Sequence, residues 1–169
     1  NRKVRPFEWG LEFVQDGLQS ENPKQSLLKF ARHALAESDT YHAYTRAQDY
    51  RLEGSHLTFT SPLKTKYPQN NTVHAWYYPA RSDGRAVLVL PQWNSDAAGH
   101  KSLCRMLNLF GLSALRLSLP YHDLRMPGNL LRADYMLSAN LGRSTRLTRR
   151  YAWTPRSCWS TTPSSGSTT

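Results

Sequence analysis

Cysteine is nearly absent from this 169-residue chain, which holds only Cys104 and Cys158 and no Cys-x-x-Cys pair. That excludes a disulfide framework and a cysteine zinc site, and makes a reducing, cytoplasmic compartment the expectation. No apolar run approaches the roughly 18 residues that a membrane-spanning helix needs. The basic opening, Asn1 to Pro6, leads into no apolar h-region, so no signal peptide is expected. The chain opens on Asn1 rather than Met, and a fragment or processed product is the expectation. Acidic residues are missing altogether after Asp134.

That last absence explains half of the charge. The net charge is +10, from 22 Lys+Arg against 12 Asp+Glu, and residues 143–169 alone supply five Arg. The remainder carries a modest excess, so a basic nucleic-acid-binding stripe is not what the charge implies. Hydrophobic residues make up 39% and charged residues 20%, which fits one soluble globular domain.

Two helical stretches open the chain. In residues 7–18, Phe7, Leu11, Val14 and Leu18 recur at helical spacing. Asn22-Pro23 offers an N-cap followed by proline at the first helical position, and Leu27, Leu28, Ala31, Ala34 and Leu35 form a stripe behind it. The stripe reads as a face packed on its own domain rather than a partner surface.

From His56 the period changes to two. His56–Thr60 and Thr72–Tyr78 read as strands, with a loop rich in Pro and Asn between them. Asp83-Gly84 marks a turn, and residues 86–90 are apolar at every position, as in a parallel strand covered on both faces. A helix follows, capped by Ser95 or Asp96, with Leu103, Cys104, Leu107 and Phe110 expected to be buried and Gly111 as its left-handed C-terminal cap. Cys104 reads as a small core residue. Residues 114–119 form the next strand, which makes one right-handed βαβ crossover. Residues 129–141 read as a helix.

Ligands of open parallel sheets bind beyond the carboxyl ends of the strands. Two polar, proline-led loops leave such ends here: Pro91 to Asp96, and Pro120 to Asp123. Both can equally be ordinary turn and cap chemistry. Ala-Val-Leu-Val-Leu-Pro-Gln-Trp-Asn at 86–94, Gly-His-Lys-Ser-Leu-Cys at 99–104 and Leu-Arg-Leu-Ser-Leu-Pro-Tyr-His-Asp at 115–123 resemble the α/β-hydrolase superfamily, most nearly its abhydrolase-domain-18-like branch. Arg125-Met-Pro127, Arg132 to Tyr135 and Ser138 to Arg143 extend the likeness, which covers residues 5 to 143.

The resemblance implies an α/β fold: N-terminal helices and the first strands of a mostly parallel sheet in a truncated three-layer αβα sandwich. It implies that the fourth strand lies between the second and third, so that Thr72–Tyr78 and residues 86–90 do not pair despite Asp83-Gly84. By position, a backbone N–H of Gln92, Trp93 or Asn94 would fall in the oxyanion hole, with Trp93 or Asn94 favoured. Tyr121, His122 and Asp123 would lie at the pocket rim. Adjacent His122 and Asp123 are not read as half of a triad, because neighbouring residues cannot generally orient each other as base and orienter. Complete relatives would be serine-type hydrolases of a small-molecule ester or acyl substrate, with no cofactor and no metal.

The nucleophile elbow of such enzymes needs Gly-x-Ser-x-Gly, because only tiny residues fit around the serine. No two of the nine glycines are four apart, and no later apolar strand is present to carry a looser elbow. The acid and histidine that follow the serine in chain order are missing with it. The expectation is therefore a chain inactive by itself: residues 1–142 as part of a hydrolase-like domain, and 143–169 as a separate tail. Of the 27 tail residues thirteen are Ser or Thr. The tail has three readings: a natural disordered segment, an Arg/Trp single-strand nucleic-acid binder, or an out-of-frame translation, which is preferred. A non-catalytic interaction protein is the remaining alternative for the whole chain.

Overall fold

A computed structural model describes residues 4–14, 18–43, 46–62, 64–81 and 84–146. The tail from residue 147, with Trp153, Cys158 and Trp159, lies outside the described residues. The domain is α/β, with helices and a five-stranded mixed sheet. No helix among the described residues is long and apolar enough to cross a membrane.

Asn22 starts helix α1 (Pro23–Ala36): its side-chain oxygen accepts from the N–H groups of Lys24 at 3.0 Å and Gln25 at 3.3 Å, and Pro23 needs no partner for a missing donor. The buried line of α1 is Ser26 and Phe30, one turn apart, and not the expected leucine stripe; Leu35 is 78% exposed. Phe30 meets Tyr41 of the short helix α2 (Ser38–His42) edge to face. Residues 7–14, the described part of the expected helix 7–18, are not an α-helix. Only a 3-10 turn forms, at Leu11–Phe13, because Glu8 pairs instead with Asn140 in a parallel bridge.

Strands β1 (Arg51–Glu53), β2 (His56–Thr60), β3 (Thr72–Tyr78), β4 (Ala86–Val89) and β5 (Ser113–Leu117) lie in the order β1-β2-β3-β5-β4. The last of them thus lies between β3 and β4, and the two strands flanking Asp83-Gly84 are not partners. The expected mostly parallel sheet is corrected. Only β4 and β5 are parallel, while β1–β2, β2–β3 and β3–β5 are antiparallel. The cause is connectivity. A parallel partner requires a crossover, and the one crossover helix linking two strands is α3 (Lys101–Leu109).

Register sorts the strands into two faces. Leu57 and Phe59 stand opposite Ala75 and Val73, and Ala75 opposite Leu117, forming an apolar core met by Ala47 and Tyr50. The other face carries Val87, Val89 and Ala114 beneath Cys104 and Leu107 of α3. Cys104 is a fully buried free thiol, which burial pushes upward in pKa. Its helix is only half as buried as expected: Leu103 and Phe110 face outward. Gly111 does close α3 in the left-handed region (φ 73°), with its N–H donating to the Asn108 carbonyl and that of Leu112 to the Leu107 carbonyl. Where three layers are expected, α3 is the helix packed on the sheet among the described residues, whereas α1 packs chiefly on α2 and the turn at Leu11–Phe13.

Residues 129–140 form turns rather than the expected helix, and helix begins only at 141. The backbone of this stretch is tied to other loops: the Ala133 N–H and C=O both bond side chains of the loop after β4. Helix 141–146 runs across the boundary placed at residue 142, with Asn140 as its cap: the Asn140 side-chain oxygen accepts from the Arg143 N–H at 2.8 Å.

Candidate functional site

The loops leaving the carboxyl ends of β4 and β5 meet, and they hold every non-glycine residue with positive φ among the described residues. These are Asn94 (62°), His100 (68°), Tyr121 (61°) and Asp123 (49°). A left-handed tyrosine is disfavoured sterically, and such strain persists only where surrounding bonds over-determine the backbone. Those bonds are present in number here.

Arg116 is the first of the ties. It sits on β5 between Leu115 and Leu117 and is fully buried. Its Nη1 pairs with Asp123 Oδ2 at 2.6 Å, with both side chains wholly enclosed. Its Nε donates to the Gly99 carbonyl at 3.3 Å and Nη2 to the Asp96 carbonyl, while the guanidinium lies 5.2 Å from the Trp76 ring centroid. One side chain therefore joins the loop after β4 to the loop after β5. Asp123 Oδ2 also accepts from the Ser118 hydroxyl at 2.7 Å. Arg125, likewise fully buried, donates to the carbonyls of Ser118 and Asn70, both at 3.0 Å, and the Asn70 side-chain oxygen accepts from the Tyr121 N–H at 3.2 Å.

His122 is the second tie. Its Nδ1–H donates to the Pro120 carbonyl at 2.9 Å, and its Nε2 accepts from the Asn94 N–H at 3.0 Å. A carbonyl can only accept and a backbone N–H can only donate, so the ring is neutral with the proton on Nδ1. Burial lowers its pKa, against the opposing pull of the Pro120 bond and Asp123. His122 makes no bond to Asp123, whose charge goes to Arg116. The two are not a catalytic pair.

Of the three oxyanion candidates, Asn94 has its N–H committed to His122, and its side-chain oxygen accepts from the Ala133 N–H at 2.9 Å. The Trp93 indole N–H donates to the Ala133 carbonyl at 3.3 Å. Gln92 is exposed; its carbonyl accepts from the Ser95 N–H, and its own N–H meets no acceptor among the described residues. Tyr121, His122 and Asp123 lie beneath the loop surface, not on a rim: Tyr121 is 3% exposed, His122 1%, and the Asp123 side chain is enclosed. No group of three or more potential metal ligands occurs among the described residues.

Sequence reasoning missed Arg116, Arg125, Asn70 and Ser118. A signal for the first was present: a lone arginine amid alternating leucines requires a buried acid, and Asp123 is seven residues on. Arg116 also borders an aromatic ladder on the same sheet face. His56 stacks on Trp76 (5.3 Å) and on His74 (5.2 Å), and His56 Nε2 lies 3.1 Å from His74 Nδ1. Burial, then the charges of His56 and Arg125, push His74 down to about 4. A histidine with a folded pKa below its ordinary 6.5 binds its proton more readily when unfolded, so its contribution to stability is complete above 6.5 and is lost as pH falls toward 4. The melting temperature is expected to drop across that window, and His74→Gln to flatten the drop. An unchanged slope in the variant would show that other groups carry the acid sensitivity.

No protein-family model matches the chain, and no curated protein is similar to it.

Proposed function

We propose that this chain is part of an α/β-hydrolase-type scaffold whose complete form cleaves an ester or acyl substrate with a serine nucleophile, and that the chain alone lacks this activity. The observation that carries the reading is the strand order, with β5 between β3 and β4. The loops at the carboxyl ends of β4 and β5 add support, since strained residues held by buried bonds are a frequent mark of functional loops. In this reading the loop after β4 is the oxyanion loop. Its donor is the N–H of Gln92, because that of Asn94 is spent on His122. Neutral His122 and the Arg116–Asp123 pair act as positioning residues: they hold the loop in place before any charge develops on a substrate oxygen.

Inactivity follows from composition. Without a Gly-x-Ser-x-Gly elbow, no serine in the chain has the setting that activates it. A fluorophosphonate probe is expected to leave the purified chain unlabelled under conditions that label a control serine hydrolase. Stoichiometric labelling mapped to any serine of this chain would overturn the assignment.

A further inference from the structure

Three arginines near residue 143 have no carboxylate partner among the described residues. Arg5 lies 5.2 Å from the Tyr135 ring centroid, and Arg143 lies 4.4 Å from the same ring. Arg143 also sits 5.6 Å from the Phe13 centroid, with Arg146 at 6.0 Å from it. Cation–π contact offsets only part of the cost of gathering like charges. The Arg5 Nε is buried without any hydrogen-bond acceptor, which is costly for a charged donor. The acids on the same arm are engaged elsewhere: Glu8 Oε2 and Glu12 Oε1 accept from the Asn140 side-chain nitrogen at 2.8 and 3.0 Å. Residues 143–169 contain no acid that could answer these charges.

Around the same ring stand neutral donors. Tyr67 packs against Tyr135 at 5.4 Å between centroids, and the Asn129 side chain donates to the Tyr135 hydroxyl at 3.4 Å. Burial, and then the Tyr135 hydroxyl, raise Tyr67 to about 12, so it remains a donor at neutral pH. Burial also disfavours the Tyr135 phenolate, but its bonds with Tyr67 and Asn129 and the nearby Arg5 and Arg143 outweigh this and lower its pKa. The cluster thus favours negative charge at this point of the molecule.

We propose that Arg5 and Arg143, each in contact with the Tyr135 ring, bind a phosphate-bearing ligand. A phosphate dianion answers two guanidiniums at once, and its several oxygens can take both forked arginine donors and a tyrosine hydroxyl, which a single carboxylate does less completely. The proposal does not depend on the acyl-transfer reading, since none of these residues belongs to the oxyanion loop. A soluble phosphomonoester and a lipid headgroup share the required chemistry.

The full chain is titrated with inorganic phosphate at constant ionic strength and followed by calorimetry. Saturable binding is expected, weakened about tenfold or more in Arg5→Gln and in Arg143→Gln, as loss of a charge-assisted contact implies. Arg105→Gln, on the exposed face of α3, should bind as the parent chain does. Arg5→Gln keeps the comparison open should Arg143→Gln fail to fold, because Arg5 lies on the N-terminal arm. Absence of saturation in the parent chain, or equal loss in Arg105→Gln, would overturn the site. Glycerol phosphate and phosphatidylcholine vesicles containing phosphatidic acid are then competed against phosphate. Competition by glycerol phosphate assigns a soluble ligand and competition by the vesicles alone a lipid headgroup; competition by neither overturns the proposal.

Discussion

Arg116→Met is expected to destabilise the domain by about 3–5 kcal/mol, the usual cost of breaking a buried ion pair from one side. Folded domains have only about 5–15 kcal/mol in hand, so the variant should unfold at much lower urea concentration. The effect is large because methionine leaves the Asp123 carboxylate enclosed with only the Ser118 hydroxyl on Oδ2, and because the Gly99 carbonyl loses its side-chain donor and the Asp96 carbonyl one of its donors. The double variant Arg116→Met with Asp123→Asn should recover much of the loss. It removes the stranded charge, and asparagine tolerates the left-handed backbone that Asp123 occupies (φ 49°). A single variant within about 1 kcal/mol of the parent would mean that water reaches this pair, contrary to its burial.

Gly142→Ala should detach the N-terminal arm and cost about 2–4 kcal/mol, taking roughly 1 kcal/mol for each backbone hydrogen bond lost. Three such bonds join the arm to residues 139–142: Glu8 N–H to the Ala139 carbonyl, Leu141 N–H to that of Glu8, and Gly142 N–H to that of Trp9. A Cβ at position 142 would run into the Gly10 carbonyl, which is backbone and cannot swing aside. Gly10 is itself left-handed (φ 71°) and packed against the Asn140 side chain, so the arm has no easy alternative path. The sign is diagnostic. Position 142 is helical, and there alanine would normally stabilise by about 0.5–1 kcal/mol. Limited chymotrypsin digestion should cut after half-buried Trp9 far faster in the variant; an unchanged digestion rate and a raised melting temperature would show that the arm does not pack as described.

The sheet was largely readable from the chain because its signals are local. Alternation placed β2 and β3, the all-apolar run placed β4, and Gly111 placed the end of α3. Strand β1 escaped because three residues, all exposed, carry no periodicity. Residues 7–18 and 129–141 show apolar spacing suited to helix, yet over 7–14 and 129–140 long-range bonds override it. Glu8 pairs with Asn140, and Ala133 with Asn94 and Trp93, across separations that no local pattern encodes. The outward turn of Leu103 and Phe110 has the same origin: spacing defines a stripe but not which neighbours exist to cover it. At the candidate site, the loops were identifiable from composition, while the direction of the Asn94 N–H depends on the His122 tautomer and hence on Pro120.

The position of β5 between β3 and β4 sets the order in which the sheet can be assembled on the ribosome. Strands β1 to β3 form a meander of short links and can pair as they emerge. Strand β4 cannot follow them, because its only partner among the described strands is β5. At about 5–20 residues per second, β4 waits for roughly one to six seconds after it is made, until Leu117 ends β5. Through that interval a fully apolar strand is held open beside a nascent sheet edge. During that interval of synthesis an unpaired apolar strand is open to pairing with the wrong edge.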